Sequence, residues 1–286
     1  IAERRRLAVN PALGAPGIRD QIQRALPELI GHRAPSAVGV GFGGPVDWHT
    51  GRIARSHQIE GWSEFDLASW LRELTGARVV VDNDANVAAL GEASRGAGAG
   101  CDPVFYATLG SGVGGGLVLG GRIYHGAPPG ESELGHVRLD RDGTTLESRC
   151  SGWAVDRRIR ELNSRKPDGL LARLSAGSVH SEASHLATAL QQGDSDARRI
   201  LDETAADLAF GLSHVTHLFH PAVIILGGGL AKVGEPLRAA VEAALSPWLM
   251  EVFRPSPPIR LATLAEDAVT TGALLLAASA VAEGIR

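Results

Sequence analysis

Apolar residues along this chain alternate between a helical and a strand-like period in a regular order. Over 16–30, PGIRDQIQRALPELI, Ile18, Ile22, Ala25, Leu26 and Leu29 recur at three- and four-residue spacing. That spacing puts them on one face and predicts a helix packed on a sheet. SAVGVGFGGPVD at 36–47 supplies a strand, with Val38 and Val40 in a short apolar run that ends in the turn residues Gly43, Gly44 and Pro45. A polar loop with Gly61 and Trp62 and a helix near 64–75 come next, and then VVVDNDANVAALGE at 79–92. There a β-branched run stops at Asn83-Asp84 and an alanine-rich helix follows at once, which completes a β-α-β-α alternation. Upstream, RRRLAV within 1–11 reads as a strand of an interrupted meander with no partner strand before it.

Beyond Gly96-Ala97-Gly98-Ala99-Gly100 the pattern becomes a glycine-dense meander, VFYATLGSGVGGGLVLGGRIYHG at 104–126. Strands are expected over Val104–Leu109 and Gly116–Leu119, with a tight turn at Gly120-Gly121. Amphipathic helices follow near 152–162, 180–191 and 195–219, interrupted later by a strand-turn-helix at 222–236. A strand at 259–264 leads into a final helix over about 268–283. These alternations outline an α/β fold of two related lobes with a cleft between them. The N-terminal lobe covers 1–103 and the C-terminal lobe 104–286, with the last helix free to pack back on the N-terminal lobe.

Composition narrows the classes. With 286 residues, 44% hydrophobic and 21% charged, the chain can bury one large or two medium cores, and a disordered chain is not expected. A net charge of -4 lacks the basic footprint of a nucleic-acid binder. Two cysteines, Cys101 and Cys150, are too few for a disulfide framework or a cysteine zinc cage, which fits a reducing cytoplasm. No apolar run is read as approaching the ~20 residues that span a bilayer, and no signal-peptide pattern opens the chain. The expectation is a cytoplasmic protein with no membrane partner. Because the sequence opens on Ile1 and its only methionine is Met250, the natural start is expected to lie upstream.

Several clusters carry chemistry. Asp84 stands where a strand's carboxyl end meets a helix N-terminus, the place where ligands collect in α/β proteins, although a carboxylate there can equally serve as an N-cap. LGSGVGGG at 109–116 can turn several backbone N–H groups toward one point, as phosphate oxygens require. It is neither a Walker loop nor a dinucleotide fingerprint, and glycine in a tight hairpin explains part of it. Gly227-Gly228-Gly229 after the strand AVIIL offers a second close-approach turn, and together the two suggest one nucleotide gripped from two directions. GESELGHV at 130–137 gathers Glu131, Glu133 and His136, with Glu147 following, a set able to accept hydrogen bonds from adjacent sugar hydroxyls or to serve as a solvated acidic loop. His214, His217 and His220 recur on one helix without a carboxylate or cysteine to complete a metal site, so they are read as helix-face residues and no metal ligand is assigned. Cys150 is assigned no chemistry.

NDANVAALGE (83–92), TLGSGVGGGLVLGGRIYHG (108–126), ESELGHV (131–137), LESRCSGWAV (146–155) and IILGGGL (224–230) resemble, in order and spacing, the ROK family of bacterial sugar kinases, repressors and uncharacterised reading frames. The resemblance covers nearly the whole chain. It implies an actin/hexokinase-type ATPase fold with two α/β lobes, the first strands of the N-terminal lobe being absent. By the same resemblance Asp84 is the catalytic base, Asn83 a sugar contact, and Glu133, His136 and Glu147 the remaining sugar-binding residues. Gly110, Ser111, Gly112 and Gly114 match the family's second phosphate loop, and Gly227, Gly228 and Gly229 its adenosine-binding turn. Gly44 and Pro45 resemble the turn near the sugar, with Gly43 where proline is usual. The implied activity is glucokinase-like transfer of the γ-phosphoryl group of ATP, with Mg²⁺, to a hexose hydroxyl, commonly that on C6. A non-catalytic sugar-binding regulator of the family's repressor type is the alternative; such repressors carry an N-terminal helix-turn-helix, and retention of Asp84 favours the enzyme.

Two departures matter. Many members hold structural zinc through a cysteine-rich segment where residues 138–145 here read RLDRDGTT, so no zinc is expected. The family's opening Asp-x-Gly-Gly-Thr loop has no match within 1–35, so the N-terminal lobe is expected to be incomplete at its start. The family also implies a homo-oligomer, a dimer.

Overall fold

The computed structural model describes residues 1–31, 34–56, 59–127 and 132–284. It divides into two compact units, one of Ile1–Gly91, Ile123–Glu131 and Glu266–Arg286, the other of Glu92–Arg122 and Ser132–Ala265. The division thus falls between Gly91 and Glu92, where the sequence analysis put it between 103 and 104, and the last helix counts with the first unit.

In the first unit α1 (Gly14–Ile30) leads to β1 (Ala37–Phe42), a small hairpin of β2 (Val46–Asp47) and β3 (Arg52–Ile53), α2 (Leu67–Thr75), β4 (Arg78–Asn83), most of α3 (Asp84–Arg95), whose residues from Glu92 onward count with the second unit, and, from the far end of the chain, α10 (Ala268–Gly284). β1 and β4 run parallel, in register from Ala37 opposite Arg78 to Phe42 opposite Asn83. Helix α2 begins where the Asp66 carboxylate accepts the Ser69 N–H at 2.9 Å and ends on left-handed Gly76. These are the local signals that made it legible. Ile18 and Ile22 of α1 pack, as their spacing requires, on a core built around Val46, Ile53, Trp62, Leu67 and Val81.

The glycines of AVGVGF admit α10 rather than a ligand. A Cβ at Gly39 would strike the Ala273 carbonyl oxygen, and one at Gly41 would lie 2.6 Å from Val269 Cγ1. Contrary to expectation, the stretch Ala265–Glu283 is long and apolar enough, by length and composition, to cross a membrane. Its apolar residues, seven alanines with Leu274–Leu276, Val269 and Val281, are interspersed with Thr270, Thr271, Gly272 and Ser279, so no unbroken run stands out. Residues 1–10 also correct the sequence reading, because they form no strand and are exposed. Three consecutive arginines favour solvent and ion pairs over a ladder, and Arg4 pairs with Asp267 and Arg6 with Glu266.

The second unit holds a five-stranded sheet in the order β7-β6-β5-β8-β9, from β5 (Val104–Leu109), β6 (Val113–Leu119), β7 (Arg122–Ile123), β8 (Val223–Gly227) and β9 (Ile259–Leu261). β5 is antiparallel to β6 and parallel to β8. Its helices are α4 (Leu146–Cys150), α5 (Gly152–Arg165), α6 (Leu170–Leu174), α7 (Leu186–Gln191), α8 (Ser195–Phe219) and α9 (Glu235–Leu245). Phe105, Leu109, Ile159, Leu208 and Ile224 are fully buried within one core. β6 begins at Val113, earlier than expected, because Gly114, Gly115 and Gly116 pair with Thr108, Ala107 and Tyr106. A Cβ at Gly115 would stand 2.7 Å from the Ser132 carbonyl oxygen, so this glycine lets the following loop lie on the strand. The expected strand over 259–264 ends at Leu261, and the region 180–191 is a short 3-10 turn leading into α7. Glu92, fully buried, ties the end of α3 to the segment after β9 by accepting N–H bonds from Ala97, Thr263 and Leu264.

Candidate functional site

Parallel pairing brings the first group together. Phe42 and Asn83 stand opposite each other at the carboxyl ends of β1 and β4, so the Gly43-Gly44 turn meets the start of α3. The Asn83 amide donates to the Gly44 carbonyl at 3.1 Å, and its oxygen accepts the N–H groups of Ala85 at 2.8 Å and Asn86 at 3.3 Å. Asn83 is therefore the cap of α3, and Asp84 is the first helical residue. These two bonds saturate the amide oxygen, and the Gly44 carbonyl takes one of the two amide N–H groups. Asp84 is half-buried, and one carboxylate oxygen would stand 3.4 Å from a Cβ placed on Gly43. Burial pushes its carboxyl above the ordinary range, opposed by the backbone N–H groups of Ala85 and Asp84 itself.

Sheet pairing also unites the two glycine turns. Thr108 of β5 lies opposite Gly227 of β8 in parallel register, so Gly110–Gly112 and Gly227–Gly229 both leave the carboxyl ends of adjacent strands. Their glycines serve different ends. A Cβ at Gly228, where φ is +82°, would stand 2.6 Å from the Leu109 backbone, and one at Gly227 would collide with the Tyr106 hydroxyl. At Gly110 and Gly229 nothing lies within 4 Å of an added Cβ. The first pair lets the chain pack; the second leaves open space. Ser111 is exposed in the turn, and Gly114 lies within β6.

Glu147, in the first turn of α4, accepts the Val113 N–H at 3.0 Å and fills the space where Gly112 lacks a side chain. A Cβ at Gly135 would also meet it, at 3.3 Å from Glu147 Cβ. The carboxylate thereby joins the first glycine turn to the short 3-10 turn Leu134–His136, where Glu133 and His136 are exposed with Oε2 and Nε2 3.9 Å apart. Glu131 lies outside the described residues.

Residues 138–145 close on themselves. Asp140 accepts the N–H groups of Asp142 at 2.9 Å and Thr144 at 3.0 Å, and Arg138 donates to the Gly143 carbonyl. The Thr144 hydroxyl, followed by backbone N–H groups, holds the Asp140 carboxyl below its usual range. Among the described residues no group of three His, Cys, Asp or Glu side chains gathers as metal ligands do. The α8 histidines are engaged locally: His214 donates to the Phe210 carbonyl at 2.9 Å, His217 accepts the Met250 N–H at 3.3 Å, and His220 is the left-handed cap. Cys150 is buried, and desolvation pushes its thiol up to about 12. A cavity of about 400 Å³ in the first unit is lined chiefly by Ile18, Ile22, Val40, Phe42 and Trp62; its walls lack the carboxylates and imidazole of the groups above.

One pair belongs to none of the sequence motifs. Asp82 and His125 meet with Oδ2 and Nε2 2.6 Å apart, although 43 positions separate them. No local pattern signals this pairing.

Residues 4–280 match the sequence profile of the ROK family. The chain is 32% identical over 269 residues to a glucokinase of Thermotoga maritima, covering 90% of this chain and 84% of that protein. A ROK family glucokinase from Streptomyces griseus, solved in complex with glucose and AMPPNP, superposes with a TM-score of 0.82 at 31% identity, covering 96% of this chain and 90% of that one. The ROK hexokinase of Thermus thermophilus gives 0.77 at 30% identity, covering 94% and 88%. The fold is accordingly the actin/hexokinase type.

Proposed function

Because the chain belongs to the ROK family, we propose that it is a sugar kinase that transfers the γ-phosphoryl group of ATP to a hexose, with Asp84 as general base. The observation that carries the assignment is the capping arrangement at β4–α3. Asn83 takes over the cap, and the Asp84 carboxylate stands at the strand end with its proton affinity raised by burial. A carboxylate so tuned is a stronger base than an exposed one. As the hydroxyl oxygen attacks the γ-phosphorus, its proton passes to Asp84, the new O–P bond forms, and the bond to the leaving ADP oxygen breaks.

The two glycine turns are assigned to the nucleotide: the open faces of Gly110 and Gly229 to close approach, Ser111 and the turn N–H groups to phosphate oxygens. Mg²⁺ enters as part of the Mg·ATP substrate. Asn83, through its remaining N–H, and Glu133, His136 and Glu147 are assigned to hexose hydroxyls, with Gly44 shaping the turn beside Asn83. Glucose is the proposed acceptor, supported by the likeness to glucokinases of Thermotoga maritima and Streptomyces griseus. The proposal includes no zinc, since Asp140 and Arg138 close the loop that zinc braces in other members. It also includes a cytoplasmic location, in keeping with the free thiols of Cys101 and Cys150. A homodimer completes it, supported by exposed Leu218, Trp248, Met250 and Val252 near the end of α8 and checked by light scattering.

The deciding experiment is Asp84→Asn in a coupled ADP-release assay across a hexose panel. Loss of general-base catalysis lowers kcat by ~10²–10⁴-fold, with glucose binding by calorimetry retained. Unchanged turnover overturns the assignment.

A further inference from the structure

We propose that His125 is a positioning residue for phosphoryl transfer: through Asp82 it holds the strand-to-helix corner that carries Asn83 and Asp84. The inference rests on the reading of Asp84 as base. Asp82 is 3% exposed and its two carboxylate oxygens do different work. Oδ1 accepts the Asn83 N–H at 2.8 Å and the Asn86 amide at 3.0 Å, spanning the corner from both sides. Oδ2 accepts from His125 Nε2 at 2.6 Å.

The imidazole is itself fixed. Its ring stacks on Trp48 at 4.1 Å between centroids and 12° between planes, and Trp48 stacks in turn on His49 at 3.6 Å. One side chain therefore joins the β2–β3 turn, the segment after β7 and the corner at the end of β4. The bond is aimed at the residue two before the base, where a packing histidine has no need to be.

Removing the donor leaves a buried carboxylate oxygen unpaired, which is costly in a low-dielectric site. Asp82 then turns toward another donor. Because its other oxygen holds both Asn83 and Asn86, that rotation drags the corner, and Asn83 and Asp84 move with it. A displacement of ~1 Å at reacting groups costs about 10²-fold in rate. The loss falls on the sugar side, since no residue of either nucleotide turn belongs to this network.

The test compares His125→Leu, which removes the donor, with His125→Gln, which keeps an amide N–H, and with Asp84→Asn. All are made in the full chain and assayed with glucose and Mg·ATP, alongside thermal melts. His125→Leu is expected to lower kcat about 10²-fold and to raise the glucose KM. The ATP KM stays within about twofold of the parent, and His125→Gln recovers most of the loss. A purely structural role moves the melting temperature and the active fraction without splitting the two KM values. Should His125→Leu fail to fold, Asp82→Asn, which turns an amide toward the imidazole, is judged by the same split. A folded variant with kcat and glucose KM within about threefold of the parent overturns the inference, as does an equal fall in Leu and Gln variants. Retained turnover in Asp84→Asn overturns the reading of the base, whereas a silent His125→Leu beside an inactive Asp84→Asn overturns only the present inference.

Discussion

Alanine at Gly110 and at Gly112 should have opposite consequences, and the contrast tests whether the first glycine turn receives phosphate. At Gly110 an added Cβ meets nothing within 4 Å and the backbone is not left-handed, so the protein alone has no objection to it. A compatible Gly→Ala change stabilises by ~0.4–1 kcal/mol through the unfolded chain, and urea unfolding should show no loss. If phosphate oxygens occupy that open space, the methyl overpacks the ligand. Overpacking costs ~1–3 kcal/mol, which converts to a rise of about 5–150-fold in the ATP KM. At Gly112 the Cβ collides with Glu147 Oε2 and lies 3.2 Å from its Cδ. The carboxylate must swing away and release the Val113 N–H that it now holds at 3.0 Å. Losing that charge-assisted bond costs ~1.5–3 kcal/mol of stability, visible as a lower urea midpoint at unchanged slope. ATP titration in the coupled assay reads the first effect and denaturation the second. Gly110→Ala with an unaltered ATP KM refutes the phosphate assignment, and Gly110→Ala with a lowered urea midpoint refutes the account of open space.

Two further outcomes follow from shifted proton affinities. Asp84 has a raised carboxyl pKa in the folded protein, so the native state binds the extra proton and this group's contribution to stability falls as pH rises above the ordinary carboxylate range. Asp84→Asn should therefore melt higher than the parent at neutral pH, with the gap closing toward pH 4; a variant that melts lower at pH 7 contradicts the burial argument. The Cys150 thiol, pushed up to about 12, stays protonated at pH 8. A thiol reagent should label at most Cys101 in the native protein and both cysteines after denaturation, and native labelling of Cys150 would show the site to be open.

The periodicity of α1, the cap-to-glycine span of α2 and the strand-to-helix switch at Asp84 were all legible, because each depends on residues within a few positions of one another. Both glycine turns were legible for the same reason, as was the family signature that orders them. The purposes of particular glycines were not. Gly115 stands against Ser132 of the following loop, and Gly227 and Gly228 against Tyr106 and Leu109 of the neighbouring strand, contacts that only the folded chain creates, so each of the two glycine turns read as ligand-binding contains packing glycines beside open ones. The cap of α3 turned on a single position: Asn83 and Asp84 are both good capping residues, and the register that sets Asn83 beside Gly44 decides between them. Residues 1–10 carried strand-like apolar spacing, but their arginines have ion-pair partners at the start of α10 and no ladder to join. Local spacing was enough for most of the helices and strands, for the motif order and for the family. Only tertiary contacts reveal which glycine turns leave adjacent strand ends and which distant residues, like Asp82 and His125, meet, because burial and long-range pairing set side-chain surroundings that local spacing does not encode.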